Sequence, residues 1–331
     1  MFTNVIPELA EELALVSDEI ARLADADGKN TATRDILSAV HATSGKGYRP
    51  SLLLLAGRMG PSYRDVVERL CRLGALVEYV HMASLVHDDI VDDSPTRRGA
   101  PTIQAKFGKD MAVFTGDLML GQVMRVLLQE NYRESGLLIA QTLRDMCVGE
   151  IAQADHLFDA DTTTGQYYQN IFGKTVSLFI TACKIGAMES GADSRSLEIL
   201  GKLGEHLGYL FQIRDDLMDF LPEEKNDGKP VRQDFKEGVL TLPVLYALRE
   251  ARCEEKIRAL ILCAKEGRFL PEQTGELDRR IAEGGGFDAA VADAEFHRES
   301  ICRLLEALDP SPARDLLADL VLSLSLPDLS R

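Results

Sequence analysis

The chain has 331 residues, of which 45% are hydrophobic and 27% charged, a balance typical of a globular protein that can bury a full core. Its 53 acidic residues outnumber its 37 lysines and arginines, giving a formal net charge of −16. Such a charge repels a phosphate backbone and argues against a nucleic-acid binder. Neither a secretion signal nor an uninterrupted apolar run near the ~18 residues of a membrane span is evident, so we expect a cytoplasmic protein that is not transmembrane. The six cysteines include no Cys-x-x-Cys pair and indicate neither a disulfide framework nor a zinc site.

Helical periodicity dominates the chain. The first long segment, Tyr63–Val86, is apolar over too wide an arc for a surface helix. The further predicted helices, in chain order, are Met111–Glu130, Gly136–Leu157, Tyr167–Met188, Ser196–Phe220 and Leu242–Glu250. No segment alternates like a strand, and the breaks between helices are short except for a polar stretch at 222–238. We therefore predict an all-α fold that forms one domain over residues 1–331.

Two acidic runs share the form Asp-Asp-x-x-Asp, and each ends an apolar helix. The helical repeat places Asp88 and Asp92 on one face of the first helix, and Asp215 and Asp219 on one face of the second. Carboxylates at this spacing repel one another, and the negative C-terminal end of a helix disfavours them further. Magnesium compensates both effects, because it prefers oxygen ligands and usually bridges one or two carboxylates to a substrate phosphate. The sequence therefore predicts two magnesium-binding runs that together hold a diphosphate.

Basic residues lie near both acidic runs in the sequence. Lys174 is the most informative, because it lies within an apolar helix, where an unpaired cation is costly. The others are Lys46, Arg49, Arg97, Arg98 and Lys229. For any one of these residues a solvated surface charge is the simpler explanation, so the prediction of a phosphate site depends on the whole set.

Four ordered motifs resemble those of the trans-isoprenyl diphosphate synthases, the polyprenyl synthetase family. The run HMASLVHDDIVDDSPTRRGAPT resembles the first aspartate-rich region of the family, and FQIRDDLMDF followed by EGVLTLPVLYAL resembles the second. GKGYRP and FGKT are similar to two further motifs, and the resemblance covers at least Gly45–Leu248. It implies a bundle of antiparallel helices around a deep central cavity, usually in a homodimer. It also implies the head-to-tail, trans condensation of isopentenyl diphosphate with an allylic diphosphate such as farnesyl or geranylgeranyl diphosphate.

The same resemblance implies a role for each site residue. It assigns about three Mg²⁺ ions to Asp88, Asp89, Asp92, Asp215, Asp216 and Asp219. It assigns the allylic diphosphate to Arg97, Lys174 and Lys229, and isopentenyl diphosphate to Lys46, Arg49, His81 and Arg98. Thr175 and Gln212 match polar residues that face the developing carbocation, and we count them as catalytic together with Asp88, Asp92, Lys174 and Asp215. Val239 stands where many relatives have lysine, and Lys236 is a candidate substitute.

Residues before Asp88 are expected to set the length of the product. Ala83 and Ser84 are small, which leaves the path of the growing chain open, whereas Tyr79 and Val80 would narrow it further down. This favours a medium- or long-chain polyprenyl diphosphate, an apolar product that we expect to pass to a membrane. A geranylgeranyl or farnesyl diphosphate synthase is the alternative within the family.

Three other functions are compatible with parts of the sequence. A terpene cyclase needs no isopentenyl diphosphate site, so the residues assigned to that substrate argue against a cyclase. A non-catalytic partner subunit tends to lose its aspartates, which this chain keeps in both runs. A synthase that requires a dissimilar second subunit stays open.

Overall fold

The computed structural model describes residues 6–25, 31–42, 45, 47–221 and 232–327. Helices account for most of these residues, which confirms the predicted all-α class. The first part of the chain contains α1 (Ala10–Asp25), α2 (Thr31–Ala42), α3 (Tyr48–Gly57), α4 (Tyr63–Val91), α5 (Ile103–Phe107), α6 (Lys109–Gln129) and α7 (Arg133–Asp155). The second part contains α8 (Thr164–Ile171), α9 (Ser177–Glu189), α10 (Ser194–Met218), α11 (Gln233–Glu237), α12 (Leu242–Ala247), α13 (Ala251–Lys265), α14 (Thr274–Glu283), α15 (Gly286–Glu306) and α16 (Pro312–Leu322). Short 3₁₀ turns precede α1 and α14, at Pro7–Leu9 and Pro271–Gln273.

The described residues divide into two compact units. Unit 1 takes in Met1–Leu143, Leu178–Gly204 and Leu305–Leu320, and unit 2 takes in Arg144–Ser177, Glu205–Leu304 and Val321–Arg331. The first acidic run therefore belongs to unit 1 and the second to unit 2. The single domain expected over residues 1–331 stays a prediction.

Helix α4 forms the core of unit 1, where it packs against α1, α3 and α6. Leu73, Leu76 and Val80 have no exposed surface, and full burial of such a side chain contributes about 1.5–3 kcal/mol. This burial on several sides explains why the predicted helix is apolar over so wide an arc. The helix continues past the predicted end at Val86 to Val91, so that Asp88 and Asp89 lie in its last turn.

A small hairpin follows α4 and contains two short strands that the sequence did not predict. Thr96–Arg97 and Ala100–Pro101 pair antiparallel, with Arg97 opposite Ala100. Arg98 and Gly99 connect the two strands with φ values of 51° and 78°, the two positive values that a type I′ turn requires. Two residues a strand give no alternating pattern, and for this reason the sequence did not predict the hairpin.

Unit 2 contains an irregular helical stretch at the FGKT motif. One turn of π-helix, Phe172–Val176, separates α8 from α9. A Cβ on Gly173 would lie 2.3 Å from the carbonyl oxygen of Asp145 and 2.8 Å from Cα of Gly149. Only glycine allows this close approach of two backbones, which brings the π-turn directly against α7. π-Turns of this kind are frequent at functional sites.

Two stretches of the described helices are long and apolar enough to cross a membrane, judged by length and composition alone. They are Lys109–Gln129 and Thr164–Glu189. Within the protein, 72% of the apolar window of the second stretch is buried, as in a core helix, against 39% for the first. Neither stretch is an uninterrupted apolar run, and for this reason neither was predicted from the sequence.

Candidate active site

The first acidic run divides into accessible and buried carboxylates. The backbone N–H of Asp92 donates to the carbonyl oxygen of Asp88 at 2.9 Å, so the two residues stay one helical turn apart at the end of α4. Asp88 is half-buried and Asp92 exposed. Asp89 is 4% exposed, and its Oδ1 accepts a hydrogen bond of 2.8 Å from Nε of Arg97. Asp88 and Asp92 are therefore the more accessible carboxylates of this run.

The hairpin that carries Arg97 and Arg98 is held against the end of α4 by Gln104. Nε2 of Gln104 donates to the carbonyl oxygens of Asp89, at 2.7 Å, and of Ser94, at 3.0 Å. The hydroxyl of Thr102 donates to the same oxygen of Ser94 at 2.8 Å. These bonds fix the direction of the hairpin relative to the end of α4.

A pocket in unit 1 contains two of the four residues predicted to bind isopentenyl diphosphate, His81 and Arg98. Arg97, predicted to bind the allylic diphosphate, and Glu78 also line it. Burial and the positive charges of Arg49, Arg98 and Arg97 hold the pKa of His81 well below its ordinary value, so the imidazole is neutral near pH 7. The site thus presents positively charged arginines and a neutral imidazole that can donate a hydrogen bond, although the chain as a whole is strongly negative. That combination suits a diphosphate.

Arg49 enters the same region from α3. It is 8% exposed, and its guanidinium lies 4.9 Å from the ring centre of Phe179. Burial lowers the pKa of Arg49 to about 10, while the charge of Glu78 opposes that shift. Arg49 is therefore protonated at neutral pH. Lys46, the other predicted ligand on this motif, lies outside the described residues.

The second acidic run, in unit 2, contains a carboxylate enclosed by hydrogen bonds. The hydroxyl of Tyr167 donates to Oδ2 of Asp216 at 2.6 Å, and Nε2 of Gln212 donates to Oδ1 at 2.8 Å. The hydroxyl of Thr175 donates to Oε1 of Gln212 at 2.5 Å. Burial raises the pKa of Asp216 to about 7, with a further contribution from the charge of Asp215, although both hydrogen bonds oppose the shift. Thr175 and Gln212, predicted together, are thus in direct contact.

Further acids crowd around Asp216. Burial raises the pKa of Asp219, whose Oδ2 is buried and has no hydrogen-bond partner among the described residues. Burial and the charges of Asp219 and Asp216 raise the pKa of Asp234 well above its ordinary value. Asp215, by contrast, is exposed. Within the described ranges, the region thus holds more negative charge than its neighbours compensate, which is the environment that a divalent cation would stabilise.

Complete metal sites built from protein groups alone are absent from the described ranges, where no three His, Cys, Asp or Glu side chains converge on one point. Magnesium does not require such a site, because it ordinarily takes one or two carboxylates and completes its shell with water and substrate phosphate. The accessible Asp88, Asp92 and Asp215, and the unpartnered oxygen of Asp219, fit that pattern.

Lys174 has the partner that its apolar surroundings require. Its Nζ lies 3.3 Å from Oε1 of Glu150 on α7, and both side chains are about one-third exposed. The close approach of Gly149 and Gly173 brings these two residues together. The charge of Lys174 partly opposes the rise that burial causes in the pKa of Asp216 and of Asp234, which places it in the same group of residues. Lys229 lies outside the described residues.

The predicted chain-length residues lie on α4, in unit 1. Ala83 and Val80 have no exposed surface, and the hydroxyl of Ser84 donates to the carbonyl oxygen of His81 at 2.9 Å. The hydroxyl of Tyr79 donates to Oε1 of Gln122 on α6 at 3.0 Å, and both residues are buried. Tyr79 is thus tied to the neighbouring helix two turns from Asp88.

Sequence reasoning missed several residues of the site. The missed residues each contact a predicted residue or shift its pKa through their charge. They are Glu78, Glu150, Tyr167 and Asp234. Glu78 carries the clearest sequence signal, a lone acid within an apolar helix. Tyr167 and Asp234 have none, because their relation to Asp216 depends on how separate helices pack.

The family to which the chain is related follows from a comparison with protein families. The polyprenyl synthetase model matches residues 30–268. The chain belongs to this family. A heptaprenyl diphosphate synthase component 2 from Geobacillus stearothermophilus is 32% identical over 322 residues, which cover 97% of each chain. The chloroplastic solanesyl diphosphate synthase 2 of Arabidopsis thaliana is 32% identical, with 95% of this chain and 74% of the relative covered.

Solved structures of the family share the fold. The polyprenyl synthase from Caulobacter crescentus CB15, complexed with calcium and isoprenyl diphosphate, has a TM-score of 0.86 to this chain at 26% identity, and the match covers 97% of this chain and 96% of the other. The chain is thus an all-α member of a prenyltransferase family whose relatives include medium- and long-chain synthases, as the four motifs predicted.

Proposed function

We propose that this chain is a magnesium-dependent prenyltransferase that condenses isopentenyl diphosphate with an allylic diphosphate to make a medium- or long-chain polyprenyl diphosphate. One observation carries the proposal: Asp216, Asp219 and Asp234 form a group of acids next to Lys174 whose negative charge the other described residues do not fully compensate. A diphosphate bound with magnesium supplies both the cation that the acids lack and an anion for the lysine.

Magnesium would be held by Asp88, Asp92 and Asp215, with Asp89, Asp216 and Asp219 in support. The hydrogen bond from Arg97 to Asp89 favours this division of roles in the first run. The Caulobacter crescentus structure, complexed with calcium and isoprenyl diphosphate, supports the binding of both a divalent cation and a diphosphate. Bound magnesium would stabilise the negative charge that develops on the departing diphosphate.

The remaining polar residues bind and orient the two substrates. Arg97, Lys174 and Lys229 would bind the allylic diphosphate, and Lys46, Arg49, His81 and Arg98 would bind isopentenyl diphosphate. The oxygens of Thr175 and Gln212 are suited to face positive charge that develops on the allylic carbon. Lys236 is exposed, and its charge partly opposes the rise that burial causes in the pKa of Asp219, which supports it as the substitute for the lysine that Val239 replaces.

The residues on α4 favour a long product. Ala83 and Ser84 are small, and no aromatic side chain occupies the turn before Asp88. We place the end of the chain's path at the hydrogen-bonded pair Tyr79 and Gln122. A geranylgeranyl or farnesyl diphosphate synthase is the alternative, which measured product length distinguishes.

We propose that the protein is a cytoplasmic homodimer. The face of α6 that points away from its own unit carries Phe114, Met124 and Leu128, which are 65%, 46% and 80% exposed. Residues at this spacing form one apolar stripe, and a stripe of this kind on a soluble protein ordinarily marks an interface. The relative named as a component 2 supports the alternative of a dissimilar partner subunit.

The decisive experiment is incubation of the purified chain with radiolabelled isopentenyl diphosphate, farnesyl diphosphate and magnesium, followed by sizing of the dephosphorylated products. We expect a medium- or long-chain polyprenol, and none when EDTA removes the metal. A chain that is inactive alone and active only with a second, dissimilar subunit would identify the heteromeric alternative. Inactivity in both settings would refute the proposed function.

A further inference from the structure

The guanidinium of Arg232 connects the end of α10 to α14. Its Nε and Nη2 donate to the two carboxylate oxygens of Asp278 at 2.8 and 2.6 Å, and the two side chains are only 4% and 8% exposed. Its Nη1 donates to the carbonyl oxygens of Asp219, at 2.9 Å, and Leu221, at 3.4 Å. One buried side chain therefore joins a carboxylate on α14 to the backbone that directly follows α10.

The backbone around Arg232 also turns toward Asp219. Arg232 has φ 58° and ψ 35°, a left-handed conformation that residues other than glycine seldom adopt. In this conformation its N–H donates to the carbonyl oxygen of Asp219 at 3.2 Å. The next N–H, that of Gln233, donates to Oδ1 of Asp219 at 3.1 Å. Asp219 is thus held at its backbone and at one carboxylate oxygen, while its buried Oδ2 has no hydrogen-bond partner among the residues that the structure describes.

Stability alone does not account for this arrangement. The desolvation of two buried charges offsets much of their attraction, and apolar replacements of such pairs are often equally stable. A bidentate arginine–carboxylate pair does fix direction, which a single contact does not. The guanidinium is further confined by the ring of Phe220, whose centre lies 5.1 Å away. These restraints hold the backbone carbonyl of Asp219, and the N–H of Gln233 that follows Arg232 holds one oxygen of its carboxylate.

We propose that Asp278 and Arg232 are positioning residues for the second acidic run. Asp278 fixes the guanidinium of Arg232, and Arg232 fixes Asp219 so that Oδ2 is directed to a magnesium ion. This inference rests on the proposed function, because it requires Asp219 to take part in magnesium binding. It assigns a role in the metal site to α14, a helix that contains none of the predicted site residues.

The test compares Asp278→Asn with Glu12→Gln. Glu12 forms a partly buried ion pair with Arg58, at 2.5 Å, in unit 1, so its loss removes a charge pair of similar kind away from the second acidic run. Two quantities are measured for each variant: the magnesium concentration that gives half-maximal prenyl transfer, and the magnesium-dependent rise in melting temperature with inorganic pyrophosphate. The second needs no turnover.

We expect Asp278→Asn to raise the half-maximal magnesium concentration about 10-fold or more, the usual effect of losing a residue that orients a metal ligand. We expect it also to weaken the magnesium-dependent thermal shift. Glu12→Gln should leave both unchanged although it lowers the melting temperature without ligand. If Asp278→Asn does not fold, Arg232→Lys answers the same question, since lysine keeps the charge and loses the bidentate geometry.

An unchanged magnesium dependence in a folded variant would overturn the inference and leave the proposed function intact. Failure of the proposed function has a different signature, because the unmodified chain would then show neither prenyl transfer nor a magnesium-dependent shift with pyrophosphate.

Discussion

The hydroxyl of Thr175 donates a hydrogen bond of 2.5 Å to Oε1 of Gln212, and the amide nitrogen of Gln212 donates to Asp216 at 2.8 Å. These two bonds fix which end of the amide faces each neighbour. They also connect the π-turn after α8 to the second acidic run. In the proposed reaction, the oxygens of this pair face the carbocation.

Replacement of Thr175 by valine tests that role. Valine keeps the shape of the side chain and removes the hydroxyl, so we expect kcat to fall about 10-fold, which corresponds to about 1.4 kcal/mol. Steady-state kinetics measure the change. Thr181→Val is the matched control, because Thr181 also makes a buried hydroxyl hydrogen bond of 2.5 Å, to Thr142. An equal loss of kcat in both variants would indicate a general effect of packing.

The adjacent arginines of the hairpin should affect different substrates. Removal of a charge-assisted hydrogen bond costs about 1.5–3 kcal/mol, or roughly 10- to 100-fold in affinity. We therefore expect Arg98→Gln to raise the KM for isopentenyl diphosphate by that factor and to change the KM for the allylic substrate little. Arg97→Gln should show the reverse, so each variant is the control for the other. Equal effects of both variants on both KM values would contradict the assignment.

Substitution at Ala83 should shorten the product. Ala83 has no exposed surface and lies just before Asp88 on α4, so a phenylalanine ring would obstruct the expected path of the chain. We expect Ala83→Phe to produce farnesyl or geranylgeranyl diphosphate, as measured by thin-layer chromatography of the dephosphorylated products. Ala83→Ser, which adds little volume, should keep the original length. Unchanged products from Ala83→Phe would place the limiting residues elsewhere.

The apolar face of α6 should hold two copies of the chain together. Phe114→Glu places a charge in the proposed interface, and we expect the molecular mass from light scattering to fall from that of a dimer to that of a monomer. Leu262→Glu is the control, since Leu262 is 53% exposed and lies on α13 in unit 2. A dimer that survives Phe114→Glu would exclude this face as its interface.

A pair of histidines in unit 2 should make folding sensitive to acid. Nδ1 of His206 lies 2.9 Å from Nδ1 of His297, an arrangement in which one nitrogen donates and the other accepts. Burial, followed by the charge of His206, lowers the pKa of His297 to about 4. Burial is also the main cause of the lowered pKa of His206, together with the charge of Arg303, while Glu205 opposes the shift.

Since the folded state of His297 binds a proton less readily than the unfolded state, its contribution to stability is complete above about pH 6.5 and is lost as the pH falls toward about 4. The expected loss is at most about 1.4 kcal/mol per pH unit. Urea denaturation at several pH values measures it. Glutamine does not ionise, so the variant His297→Gln should show a smaller change in the free energy of unfolding over this pH interval. This holds whatever the effect of the substitution at neutral pH. An unchanged slope would assign the acid sensitivity to other groups.

The sequence by itself determined the fold class and the family of this protein. Helical periodicity is a local property, so α4 and α10 could be predicted from the spacing of their apolar residues, and the acidic runs at their ends are contiguous motifs. Burial of α4 on several sides follows in the same way from its wide apolar arc. These features require no knowledge of which helices are neighbours.

Only the tertiary structure decided which carboxylates are accessible and which are buried. Asp89, adjacent to Asp88 in the sequence, is buried and paired with Arg97 because the hairpin folds back on α4. The bond from Tyr167 to Asp216 and the pairing of Lys174 with Glu150 depend on contacts between separate helices. The same holds for Arg232 and Asp278. Hydrogen bonds and ion pairs act over a few ångströms in space, whereas a sequence pattern records distance only along the chain.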